Sequence, residues 1–299
     1  MCPSRRADAV PVTSGTLRGL GVPSTAAASS KHERGRVLVA GGSRETPGAT
    51  LLAATAALRA GAGVVQVATA ASAIPALGVA LPEARVVPLP ETATGAVGDG
   101  DGRLEELARG AAAILVGSGT LDRDATRRLV VAAVEGLRSD ATLVLDAAAL
   151  DVVAEEPALL DGVADRSVLI PNAGEAARIT GLDAADVTED ARRALEAAVK
   201  LFGCVVAVRS PETWVGAPGA AQYCNRAGHP LLGVSGSGDV LAGLLAGLAA
   251  QGCTPLVATL CAVHVHARAG MRLGRHGPGA GRLARELLDE LPALVQQMR

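Results

Sequence analysis

Short runs of β-branched and aliphatic residues alternate along this chain with longer Ala/Leu-rich stretches of helical period. The runs at 37–40, 64–68, 114–116, 143–145, 168–170 and 205–208 are apolar apart from Gln66, as strands buried on both faces are. The stretches at 47–60, 123–137, 188–201, 238–251 and 256–273 predict helices. Thr188, Glu189 and Asp190 offer a capping hydroxyl and first-turn acids, which predicts a helix start there. Gly61 and Gly203 fall just past two of the helices, where a left-handed terminating residue belongs. Strand–helix alternation predicts an α/β fold, a central mostly parallel sheet with helices on both faces. Residues 1–35 are rich in Ser, Thr, Ala, Gly and Pro and show no period, so a flexible N-terminal arm is expected. No linker interrupts 36–299, which reads as a single domain.

Composition narrows the function. Of 299 residues, 49% are hydrophobic and 19% charged, enough to bury a sizeable core. A net charge of −2 leaves no global basic field for nucleic acid or an anionic membrane. Phe202, Trp214 and Tyr223 are the only aromatics, too few for a base-stacking platform. The longest apolar stretch, 240–250, is too short to span a bilayer, and no apolar run follows Arg5 and Arg6, so neither a membrane segment nor a secretory leader is expected. Cys2, Cys204, Cys224, Cys253 and Cys261 are odd in number and form no CxxC, which argues against zinc or a disulfide framework and fits a reducing cytoplasm. His264 and His266 stand two apart on a predicted helix and face different sides, so they are no ligand pair. His32, His229 and His276 fall in predicted loops with no evident partner.

The candidate chemistry lies in glycine turns at strand ends, where open parallel sheets bind ligands. Gly41-Gly42-Ser43 follows the first long strand, and Gly117-Ser118-Gly119 follows the third. Gly233-Val234-Ser235-Gly236-Ser237-Gly238-Asp239 opens the helix at 238–251. Backbone N–H groups and the helix dipole converge there, which suits a phosphate or a transferring phosphoryl group. Asp239 in that first turn either complements the helix end or takes a proton from a hydroxyl attacking the phosphate. Asp146 and Glu175 follow two further strands; they either shape a turn and a helix start or converge through waters on a magnesium ion. No GxxxxGK[ST], GxGxxG or GxSxG appears, which excludes a P-loop and leaves a dinucleotide fingerprint and a serine-hydrolase elbow unsupported.

The order of these blocks resembles the ADP/ATP-dependent NAD(P)H-hydrate dehydratases, a family with a ribokinase-like fold. Gly41-Gly42-Ser43 through Thr46-Pro47-Gly48-Ala49 to Leu58-Arg59-Ala60-Gly61-Ala62-Gly63 is similar to the family's GGS…YPGA…LRxGAG block. Leu145-Asp146-Ala147-Ala148-Ala149-Leu150 is similar to its DADAL segment, and the run from Gly236 to Gly243 matches GSGDVLAG without change. The resemblance covers nearly all of the chain from Arg36. It implies repair of hydrated NADH or NADPH: the ring hydroxyl is phosphorylated by ADP or ATP, the phosphate leaves and the double bond returns. It implies that Asp239 deprotonates the hydroxyl and that Gly236, Ser237 and Gly238 cradle the phosphoryl group. Ala49, Gly119 and Asn172 would touch the hydrated nicotinamide nucleotide. Arg209, Ser210, Pro211, Glu212 and Thr213 would surround the nucleotide phosphates. Mg²⁺ and a homotetramer are implied as well.

Several ligand-facing segments depart from the family pattern. KGxxT reads Arg209-Ser210-Pro211-Glu212-Thr213, which keeps a positive charge but adds a negative one. PHPGE reads Pro171-Asn172-Ala173-Gly174-Glu175, GPGLG reads Gly117-Ser118-Gly119-Thr120-Leu121, and the second Asp of DADAL is Ala148. Three readings follow: the dehydratase; a kinase of the same fold acting on a thiazole, a pyridoxine-like compound or a sugar alcohol; or a non-catalytic nucleotide-binding homologue. The product separates the first two, and binding without turnover marks the third.

Overall fold

The computed structural model describes residues 9–20, 30–98, 101–275 and 281–299; Cys2 and His276 lie outside them. Ten strands share one sheet: β1 (Val10–Pro11), β2 (Arg36–Ala40), β3 (Val64–Ala70), β4 (Arg85–Leu89), β5 (Ala113–Val116), β6 (Thr142–Leu145), β7 (Ser167–Leu169), β8 (Val205–Val208), β9 (Thr213–Gly216) and β10 (Tyr223–Asn225). Their spatial order is β1-β10-β9-β8-β7-β6-β5-β2-β3-β4, and β9 alone runs against the rest. The helices are α1 (Ser14–Gly19), α2 (Pro47–Ala60), α3 (Ile74–Ala80), α4 (Arg103–Arg109), α5 (Arg123–Glu135), α6 (Ala148–Glu155), α7 (Ala173–Thr180), α8 (Ala184–Glu189), α9 (Ala191–Phe202), α10 (Ser237–Ala250), α11 (Pro255–Gly274) and α12 (Leu287–Met298). α2, α10, α11 and α12 pack as one layer, and α4, α5, α6, α7 and α9 as another. The predicted strands are present within two residues of their expected ends. No helix among the described residues is long and apolar enough to cross a membrane.

The sheet builds outward in both directions from β2, with β3 on one side and β5 on the other. This is the topological switch point, where the two loops diverge and leave a crevice. Both early glycine turns open into it. Helix α10, apolar nearly all round, is buried along almost its whole length. It lies hard against α2: a Cβ on Gly243 would sit 1.9 Å from the Ala53 carbonyl oxygen. Only glycine permits that approach, and it fixes where the α10 N-terminus stands.

Two expectations are corrected. Part of the supposed N-terminal arm is built into the fold. Val10 and Val12 donate to Gln222 and Cys224 carbonyls at 2.9 Å, Thr13 caps α1, and Leu17 is fully buried. A two-residue strand and a six-residue helix are too short to show a period in sequence. The helix start at Thr188 is also displaced. Thr188 and Glu189 end α8, and Asp190 caps α9 by accepting from the Arg192 N–H. Gly61 and Gly203 do end α2 and α9 in the left-handed conformation.

Candidate active site

Helix α10 begins at a turn that no side chain caps, with Gly236 in the left-handed region at φ 88°. A β-carbon at Gly236 would be strained there and would also strike Leu52 at 2.6 Å. The uncapped first turn presents backbone N–H groups and the positive end of the helix dipole. His266 on α11 buttresses it. Its Nε2 lies 3.0 Å from both the Ser237 hydroxyl and the Ser237 carbonyl oxygen. A carbonyl only accepts, so Nε2 carries the proton. Burial, and then the Arg209 charge, push His266 down to about 4, so the imidazole is neutral.

Asp239 follows in the same turn and is part-buried. Burial raises its carboxyl to about 6, and the nearby Asp146 charge adds to the rise. The Ser118 hydroxyl and Arg209 pull it partly back. The Ser118 hydroxyl is buried and makes no complete hydrogen bond, so it faces the carboxylate without being spent elsewhere. A carboxylate poised near neutrality is suited to general-base work.

Two acids share a single guanidinium. Arg209 Nη2 lies 3.2 Å from Asp146 Oδ1 and 3.2 Å from Glu175 Oε2. A Cβ on Gly238 would fall 2.3 Å from Arg209 Nη1, so the guanidinium rests on the mouth of α10. Asp146 is 3% exposed, and burial holds its carboxyl above the usual range against the pull of Arg209. The next residue, Ala147, has φ 51°, the one non-glycine positive φ among the described residues. That strain sits at the bend carrying the chain from Asp146 into α6.

The structure divides the residues singled out by sequence. Ala49 and Gly119 meet at the switch point: a Cβ on Gly119 would lie 2.8 Å from the Ala49 Cβ. Thr46 joins them, donating to the Gly119 carbonyl at 2.6 Å. Asn172 stands apart from this pair, in a cleft of about 570 Å³ that Arg209, Ser210, Pro211, Thr213 and Ser237 also line. Its side chain accepts from the Glu175 N–H while Glu175 Oε2 accepts from the Asn172 N–H, a capping box for α7. Glu175 therefore starts a helix and holds Arg209 at once. Glu212 does not line the cleft itself; its carboxylate lies 3.3 Å from Arg226, which does, and near the Cys224 sulfur. The negative charge that sequence places among the phosphates is thus paired with an arginine of the cleft wall.

Other cleft residues carried no signal of a site role. His229, Leu232, Val263 and His266 line it from the segment before α10 and from α11, beside Leu241 of the GSGDVLAG run. A lone histidine on an apolar helix gives no hint that it will meet a serine 29 positions away.

A family model described as NAD(P)H-hydrate dehydratase matches residues 37–293. The ADP-dependent (S)-NAD(P)H-hydrate dehydratase of Xanthomonas campestris is 41% identical over 287 residues, covering 96% of each chain. A ribokinase-like superfamily protein from Enterococcus faecalis superposes with a TM-score of 0.82 at 22% identity, covering 100% of this chain and 99% of that one. The ADP/ATP-dependent NAD(P)H-hydrate dehydratase from Bacillus subtilis, co-crystallized with ATP/Mg²⁺, gives 0.80 at 25% identity, covering 99% and 100%. An unbroken GSGD turn at a buried helix mouth, on a ribokinase-like sheet and with similarity along nearly the whole chain, places this protein in the NAD(P)H-hydrate dehydratase family.

Proposed function

We propose that the chain dehydrates hydrated NADH or NADPH, with ADP or ATP as co-substrate. The observation that carries the reading is Asp239, held near neutrality at an uncapped, buried helix mouth. The substrate enters at the switch point beside Ala49 and Gly119 and reaches Asn172 at the cleft wall, and the nucleotide lies along Arg209, Ser210, Pro211 and Thr213. Asp239 takes the proton of the ring hydroxyl as its oxygen attacks the terminal phosphorus. The bond from phosphorus to the bridging oxygen breaks, and AMP or ADP departs with the electron pair. The N–H groups at Gly236, Ser237 and Gly238 meet the charge developing on the phosphoryl oxygens. The new phosphate ester then leaves the ring with its C–O electrons. Loss of a proton from the adjacent carbon restores the double bond.

The donor set fits magnesium in one specific way. Asp146 and Glu175 offer hard oxygens, yet no group of three His, Cys, Asp or Glu gathers among the described residues. Two carboxylates without a full cage suit an ion that keeps its waters and takes phosphate oxygens. Magnesium, when bound, neutralises phosphate charge. The family resemblance extends the proposal to a homotetramer, which light scattering tests, and to the cytoplasm, which the buried thiols of Cys204, Cys224, Cys253 and Cys261, in no disulfide among the described residues, support.

The test is incubation with magnesium, hydrated NADH and either nucleotide, following the return of reduced-nicotinamide absorbance. Nucleotide-dependent recovery, abolished in Asp239→Asn, is expected. A stable phosphate ester in place of NADH and inorganic phosphate would assign the kinase reading. Nucleotide binding without any turnover would assign the non-catalytic one.

A further inference from the structure

We propose that Arg209 is an exchangeable counter-ion: without nucleotide it masks the two carboxylates that would otherwise attract a divalent cation, and nucleotide phosphates draw it away. The inference rests on the nucleotide-binding reading above, but not on the dehydration chemistry.

Arg209 Nη2 is shared between Asp146 and Glu175 at 3.2 Å each. Its Nε is buried with no partner at all. An arginine placed only to close a structural bridge would present its fork to one carboxylate, two bonds in parallel. Here one nitrogen serves two acids, while the other terminal nitrogen lies against Gly238 at the phosphoryl end of the cleft. The same side chain therefore borders both the acids and the place where phosphate arrives.

The backbone permits the exchange. Arg209 N–H donates to the Pro171 carbonyl at 2.8 Å, and residues 172 and 209 form a bridge that continues the sheet. The Cα is fixed while the side chain can change partners. Charge gives the exchange its direction. Asp146 and Glu175 share one guanidinium, and Asp239 lies near enough to feel all three groups, so acids outnumber the positive charge at the site. A polyphosphate brought alone would add to it. If Arg209 turns to the phosphates, Asp146 and Glu175 are uncovered together and the pair becomes available to a hydrated cation. Nucleotide and metal would then be coupled through one residue.

The test measures two affinities in the absence of hydrated substrate, so neither depends on turnover. One is binding of Mn²⁺ alone, read from the free-ion electron paramagnetic resonance signal. The other is binding of metal-free ADP in the presence of EDTA, read by calorimetry. In Arg209→Gln, Mn²⁺ affinity is expected to rise at least tenfold while metal-free ADP affinity falls at least tenfold. A second change, Asp146→Asn on that background, should remove the gain in Mn²⁺ binding. Arg209→Lys should move both affinities in the same directions by smaller amounts, and it serves if the glutamine variant does not fold. The opposite signs separate exchange from a structural role, since loss of a mere brace weakens both ligands. The proposal is overturned if both affinities fall, if Mn²⁺ binding is unchanged, or if the gain survives Asp146→Asn. Failure to bind ADP in the wild-type protein would instead sink the nucleotide reading itself.

Discussion

The mouth of α10 and the strand end at Arg209 face each other across the site but are held by different forces. The α10 turn is held by packing. Gly243 meets the α2 backbone at Ala53, Gly247 meets it at Ala57, and His266 braces Ser237 from behind. Little there can change without moving backbone. The Arg209 region is held by charge, through contacts to Asp146, Glu175 and Gly238 that other side chains could make differently. The difference explains why GSGDVLAG stands unaltered here while KGxxT has become Arg209-Ser210-Pro211-Glu212-Thr213. Packing fixes identity, whereas charge fixes only a sign and a reach.

Changes in the packed region should have the largest effects. Gly243→Val forces a side chain into the Ala53 carbonyl and should cost about 3 kcal/mol or more, seen as a lower denaturation midpoint. An unchanged midpoint would show that α2 and α10 are not locked together. Asp239→Asn should do the reverse to stability. A carboxyl raised from 3.8 to about 6 is disfavoured in its ionised form by the fold. That penalty is absent below the unfolded value and grows as pH rises through the folded one. Removing the charge should therefore stabilise the protein at pH 7 by roughly 1–3 kcal/mol, and no gain should appear near pH 3. A lower midpoint at pH 7 would refute the burial account of Asp239.

Ala147→Gly should relieve the positive φ and raise stability by roughly 1 kcal/mol, with the midpoint as readout. The smallest effect belongs to the charged region. Glu212→Gln releases only Arg226 on the cleft wall and should change ADP affinity less than about twofold, because a part-exposed ion pair contributes little. A large gain in affinity would place that charge beside the phosphates after all.

Legibility in the sequence follows the same division. Strands β2, β3 and β5 to β8 were readable because both faces are buried and the runs are apolar, with Gln66 the one interruption in the 64–68 run. Strand β4 was not, since an edge strand with Pro88 and alternating exposure lacks that pattern. The paired strands β9 and β10 are short and sit around Trp214 and Cys224 rather than a β-branched run. In the site, the glycine turn before Asp239 was visible because local geometry demands glycine. The bridge from Arg209 to Asp146, 63 positions away, and to Glu175, 34 away, was invisible because only the fold brings them together. Glu175 showed its helix-start role in sequence, but its second role needed Arg209 beside it.

The central claim is that Asp239 is the base that begins nucleotide-dependent repair. The most direct measurement is kcat/KM for hydrated NADH, with saturating nucleotide and magnesium, across pH 5 to 8. The base must be ionised to work, so activity should rise with pH and reach half its plateau near 6, the value burial gives Asp239. The same profile in Asp239→Asn should be flat and lower by a factor on the order of 10³. Activity that shows no acid limb near 6, or that survives in the asparagine variant, would contradict the account.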